Sequence, residues 1–120
     1  MSPSEILHRP FDSLSEGDYH IRLSHTPGRA VVLFTSPHCG ACRAWKRLLP
    51  EALSAITTHF YEVDVASATG MARYFGIFHL PTIYLYREGH FHAQLQVEAG
   101  PEAIAAAARH LFAAAAQEEP

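Results

Sequence analysis

Cys39 and Cys42 are the only two cysteines in the chain, and they stand two residues apart in Cys39-Gly40-Ala41-Cys42. A pair so spaced can exchange disulfides with a partner. One sulfur attacks, and the second is close enough to break the mixed disulfide that forms. The residues around the pair divide the two roles. Ala30, Val31, Val32, Leu33 and Phe34 make an apolar run that reads as a buried strand, Thr35-Ser36-Pro37 reads as a loop, and Cys39 onward reads as the first turn of a helix. At a helix N-terminus the unpaired backbone N–H groups and the positive end of the dipole favour a thiolate over a thiol. Cys39, nearest the loop, is therefore the candidate nucleophile, and Cys42, one turn in, the candidate resolving thiol. Two other readings stay open at this point. A structural disulfide across two residues would constrain the unfolded chain little. A zinc site would need two more ligands, and no second Cys pair or His-x3-His pattern supplies them.

The elements that must position this pair follow from the hydrophobic pattern. Residues 1–10, polar with Pro3 and Pro10, are expected to form an N-terminal arm, and residues 11–120 a single domain. Phe11 to Leu14 suits a short first strand. Ser15-Glu16-Gly17-Asp18 has the spacing of a capping box before a short helix that carries Tyr19 and Leu23 on one face; a strand over His20 to Ser24 competes with it. A helix from Gly40 to about Thr58 places Trp45, Leu48, Leu49, Ala52, Leu53 and Ile56 on a core-facing stripe, and Pro50 inside it should bend it. Phe60 to Val65 reads as a strand, Ser67 to Phe75 as a helix closed by Gly76, and Thr82 to Tyr86 as a further strand. A turn at Arg87-Glu88-Gly89 leads to a last strand from His90 to about Val97. Gly100-Pro101-Glu102 then opens an Ala-rich helix, with Pro in the first turn and an acid near the positive dipole end. The order βαβαβαββα predicts an α/β fold, a central mixed sheet flanked by helices on both faces.

A second motif makes the pair more specific. Gly76-Ile77-Phe78-His79-Leu80-Pro81-Thr82, running into Ile83-Tyr84-Leu85-Tyr86-Arg87-Glu88-Gly89, resembles the second signature of the thioredoxins, at that family's separation from Cys-x-x-Cys. Leu14 and Tyr19 fall where the family has apolar residues, and the resemblance runs over roughly residues 11–116. It implies the thioredoxin fold. It also implies a cis Leu80-Pro81 bond that sets the backbone of Leu80 against the cysteines, where Leu80 and Pro81 would bind an extended substrate strand.

Several positions depart from the family pattern. His38 stands where a tryptophan is usual; it is either an imidazolium that assists Cys39 or a loop residue that touches substrate. Gly40-Ala41, with Ala41 in place of the usual proline, occupies the dipeptide that tunes reduction potential. Leu33 replaces the buried aspartate that takes the proton of the resolving thiol, and Glu62 replaces its lysine neighbour. From the resemblance Glu62 is therefore expected as an acid without a lysine partner, serving as general base to Cys42, with Asp64 on the same face as the second candidate. Pairing of Glu62 with a basic residue such as Arg73 is the competing expectation.

Composition narrows the function classes. An apolar fraction of 48% and a charged fraction of 18% are those of a globular chain. With a net charge of −3 and no basic patch, nucleic acid is not an expected partner. No apolar run is long enough to span a bilayer, since Arg109 and His110 interrupt the Ala-rich stretch, so no membrane partner is expected. The opening residues lack the charged and apolar regions of a signal peptide, which gives a cytoplasmic location as the expectation. The histidines lack ligand spacing. His90 and His92 share one strand face and are expected at a solvated edge. The resulting expectation is a monomeric thiol-disulfide oxidoreductase that reduces protein disulfides through Cys39 and Cys42. It would use no metal or other cofactor and would draw electrons from a reductase or a small thiol. An oxidase or isomerase, or a binding adaptor without redox turnover, is the alternative.

Overall fold

The computed structural model describes residues 10–120, so the expected N-terminal arm lies outside the described residues except for Pro10. Along the chain the elements are β1 (Phe11–Ser13), α1 (Tyr19–Ser24), β2 (Arg29–Thr35), α2 (Gly40–Leu53), β3 (His59–Asp64), α3 (Thr69–Phe75), β4 (Thr82–Arg87), β5 (His90–Gln94) and α4 (Pro101–Ala113). The five strands form one sheet in the order β1-β3-β2-β4-β5. β1, β3 and β2 run parallel, and β4 and β5 are antiparallel to their neighbours. The parallel pair β2 and β3 needs a crossover, which α2 supplies.

Strand alternation sorts the core into two layers. On one face Val32, Phe34, Tyr61, Val63, Tyr84 and Tyr86 pack with Tyr19 and Leu23 of α1 and Met71 and Phe75 of α3. On the other, Val31, Leu33, Phe60, Ile83 and Leu85 pack with Trp45, Leu49 and Leu53 of α2 and Ile104, Ala108 and Phe112 of α4. Sheet and helices on both faces thus follow from a period of two in the strands and of nearly four in the helices. Within the first layer the Tyr19 and Tyr86 hydroxyls share a buried hydrogen bond of 2.7 Å. Burial holds both phenols protonated well above the usual tyrosine range.

Local chemistry sets the element ends. The Ser15 N–H donates to the Asp18 carboxylate at 2.7 Å, one half of the expected capping box, and α1 follows in place of the competing strand. The Ser15 backbone bond holds the Asp18 carboxyl below its ordinary range. α2 runs on through Pro50 and stops at Leu53, five residues short of the expected Thr58. Past that point the Ile56 and Thr57 N–H groups both donate to the Leu53 carbonyl, at 2.9 and 2.8 Å, so the chain tightens into a single closing turn. Gly76 closes α3 at φ 65°, a left-handed conformation that glycine reaches without strain.

β5 corrects the expectation for the histidines. Its pairing with β4 steps from Leu85↔Ala93 to Tyr86↔Phe91, which leaves His92 as the extra residue of a bulge. His90 stays exposed, but His92 is buried, with Nε2 2.8 Å from the Leu111 carbonyl oxygen and 3.1 Å from that of Ala114. Its ring therefore ties the sheet edge to the end of α4 and is not solvated.

Candidate active site

The cysteines sit where β2 hands over to α2. Thr35 ends the strand, Cys39 N–H donates to the Ser36 carbonyl at 3.2 Å, and Cys39 becomes the residue that caps α2. Its Sγ accepts a hydrogen bond from the Cys42 N–H at 3.2 Å, so the sulfur occupies the place that a Ser or Asp oxygen takes at an ordinary helix start. The two cysteines are joined as a disulfide with a Cα–Cα separation of 5.3 Å. Cys39 is half-buried, whereas Cys42 is 2% exposed. Once reduced, the outer sulfur keeps both access and the helix-end field. The inner one can be reached chiefly through its neighbour. Gly40 and Ala41 are exposed between them, and the space around a Cβ at Gly40 is open. His38 is exposed on the loop just before the pair.

The strand register explains how an acid comes near the thiols. Leu33 pairs with Glu62 across the parallel β2/β3 ladder, and in such a ladder paired residues point to the same face. That face is the one covered by α2. Leu33 is fully buried, while Glu62, one strand further out, is 19% exposed. The expectation of an acid without a lysine partner is corrected here. Lys46 of α2 sets its Nζ 2.9 Å from Glu62 Oε2, and Arg73 lies away on α3. Lys46 follows Cys42 by four residues, which places both on one side of the helix. Cys39, Cys42, Arg43, Lys46, Glu62 and Asp64 all line one cleft of about 780 Å3. Asp64 has its own structural task. Its Oδ1 accepts the Ala66 N–H at 2.9 Å and its Oδ2 the Ser67 hydroxyl at 3.4 Å, which fixes the loop from β3 into α3.

The second signature forms a separate wall. The Leu80–Pro81 peptide bond is cis. Leu80 packs against the first core layer, and the Thr82 hydroxyl donates to the His79 carbonyl at 2.6 Å. Pro81 and Thr82 line a second cleft, of about 430 Å3, with Trp45, Phe78 and the residues from Gln94 to Val97. Phe78 is 89% exposed beside Pro81, and neither it nor Lys46 was singled out from the sequence as a site residue. The spacing Cys42-x3-Lys46 could have flagged the lysine; nothing in the sequence marks Phe78 as unburied.

Comparison with known proteins agrees with this geometry. The family model Thioredoxin matches residues 11–110. Protein disulfide-isomerase A3 of Gallus gallus is 32% identical over 81 residues, 63% of this chain and 15% of that protein. NADPH-dependent thioredoxin reductase 3 of Arabidopsis thaliana is 33% identical over 76 residues, 60% of this chain and 14% of that protein. The chain thus spans about a seventh of the length of these relatives. Among solved structures, the human ERp44 zinc-bound form superposes with a TM-score of 0.66 at 20% identity, over 86% of this chain and 30% of the other, which is a likeness of fold.

Proposed function

The chain belongs to the thioredoxin family, and from that premise we propose that it reduces protein disulfides by dithiol exchange. The Cys39 thiolate attacks one sulfur of a substrate disulfide, forming a mixed disulfide and releasing the other substrate sulfur as a thiolate. Cys42, giving up its proton, then attacks Cys39 Sγ. The second substrate thiol leaves, two electrons have passed to the substrate, and the Cys39–Cys42 disulfide remains. An external dithiol, carried by a reductase or a small thiol, must return the two electrons. A reducing compartment such as the cytoplasm is part of this reading, because the donor pair has to be kept as thiols between turnovers.

The observation that carries the proposal is the helix-capping position of Cys39 Sγ over a buried Cys42. It supports attack by the outer sulfur and resolution by the inner one. Glu62 is the proposed acceptor of the Cys42 proton, since it lines the same cleft and Lys46 fixes its carboxylate. In this chain the acid is carried on β3 and the lysine on α2, while β2 contributes only Leu33. Leu80 and Pro81 provide the substrate-facing wall in this reading, His38 touches substrate at the loop, and Gly40 and Ala41 tune the potential.

An oxidase or isomerase is the second reading, favoured by the exposed His38 beside Cys39, by Ala41 between the sulfurs, and by the likeness to a protein disulfide-isomerase. The test is reduction of insulin with a dithiol donor, together with the reduction potential of the pair. Turnover with a potential near or below that of the cytosolic thiol pool supports the reductase. A potential far above it supports the oxidase, and an inert protein with both thiols free supports a binding adaptor.

A further inference from the structure

Among the described residues β5 is the last strand of the sheet, so one side of its backbone has no strand neighbour there. Gln117 takes up that side. Its backbone N–H donates to the His92 carbonyl at 2.7 Å, and its side-chain Oε1 accepts the Gln94 N–H at 3.0 Å. One residue thereby satisfies an outward acceptor and an outward donor of β5, with a backbone group on the first and a side chain on the second. The neighbours of Gln117, Ala114 to Pro120, are all exposed after α4 ends. A few residues on, Pro120 enters the 430 Å3 cleft that Pro81, Phe78 and Trp45 line. The segment, with Glu119 bordering Tyr86, His90 and Phe91 on the way, passes from the outer edge of β5 to the cleft beside the second signature.

We propose that this line, the β5 edge at His92 and Gln94 continued by the cleft at Pro81, is a docking strip for an extended segment of a polypeptide, and that Ala114–Pro120 occupies it until such a segment arrives. The inference rests on the oxidoreductase reading for the identity of the visitor, a protein carrying a disulfide. Gln117 shows what the strip accepts: a backbone N–H for His92 and a carbonyl-type oxygen for Gln94, which any extended strand offers at alternate residues. An incoming strand would replace a side-chain acceptor with a backbone one and add pairing along the strand. Phe78 beside Pro81 supplies apolar surface to its next residues. Because the resident segment competes with the visitor, apparent affinity is reduced by the fraction of molecules in which the segment is in place.

The test uses the full chain in reduced form and a fluorescein-labelled insulin B chain whose cysteines have been alkylated, so that binding is read by anisotropy without disulfide chemistry. Gln117→Pro removes the N–H and the amide oxygen together; Gln117→Ala removes only the oxygen. Loss of one ordinary hydrogen bond changes a closed-to-open ratio by about fivefold. Peptide affinity should therefore rise about fivefold or more in Gln117→Pro and by less in Gln117→Ala. The Gln94 amide should exchange faster in both variants and be protected again by bound peptide. Unchanged affinity with a deprotected Gln94 amide overturns the proposal. So does self-association of the variant without a gain in peptide binding, which would make the segment a guard of the sheet edge. Failure of every version to reduce insulin would count against the oxidoreductase reading alone, since the anisotropy comparison does not use that chemistry.

Discussion

Replacing Glu62 by Gln keeps the shape of the side chain and an oxygen for Lys46 while removing the carboxylate. The pair it belongs to is partly open to water, with Lys46 46% and Glu62 19% exposed. An ion pair of that exposure contributes at most about 1 kcal/mol. Folding should therefore survive, with the thermal midpoint lowered by no more than roughly 4 to 8 °C. The chemical consequence should be larger. A positioned base is worth about 10²- to 10⁴-fold in rate, and because this cleft is open to water we place the effect near the lower end, about 10²-fold. That corresponds to about 2.7 kcal/mol on the barrier to resolution. The assay prepares the mixed disulfide between Cys39 and a peptide thiol, then follows its breakdown by rapid acid quench and mass spectrometry across neutral pH. Attack by Cys39 on a fresh disulfide, measured in the same variant, should keep its wild-type rate. Resolution at the wild-type rate with an unaltered pH profile refutes a proton-accepting Glu62.

Further predictions concern the packing that holds the site. Leu33→Asp, which brings back the residue usual in the family, should destabilise the fold by about 3 kcal/mol or more, because it buries a charge at a fully enclosed position whose register partner is already an acid; a denaturation midpoint equal to wild type would contradict the register argument. Tyr86→Phe should cost about 1 to 3 kcal/mol by leaving the buried Tyr19 hydroxyl without its partner, and the Tyr19→Phe/Tyr86→Phe double variant should recover part of that loss in a double-mutant cycle. Since both phenols are held protonated in the folded state, while in the unfolded chain they ionise near about pH 10, their contribution is complete below that pH and declines above it. Urea titrations of the oxidised protein between pH 8 and 11 should show this decline in wild type and a shallower one in the double variant; parallel curves would exclude it.

How much of this was legible in the sequence depends on which interactions fix each feature. The order of nine elements could be read because the apolar residues of β2 and of α2 each repeat with the period of their own element. The placement of Cys39 at a helix start followed from Pro37 and the polar loop behind the strand. Lys46 was missed because its partner lies on β3, and the two residues are brought together only when α2 folds over the sheet. His92 was misplaced at a solvated edge because a one-residue bulge cannot be seen in an alternating pattern, and because its partners are backbone carbonyls at the end of α4. The early end of α2 has a similar cause. Ile56 and Thr57 both turn their N–H groups onto the Leu53 carbonyl, a tightened last turn that hydrophobic spacing does not encode.

The central claim is the division of labour between the two sulfurs. Its most direct test presents purified insulin to reduced Cys42→Ser and, separately, to reduced Cys39→Ser, and identifies by mass spectrometry which variant holds insulin through a disulfide. The helix-capping position of Cys39 and the burial of Cys42 predict a stable mixed disulfide through Cys39 in Cys42→Ser and none in Cys39→Ser. Capture by Cys39→Ser through Cys42, with none by Cys42→Ser, would contradict that assignment.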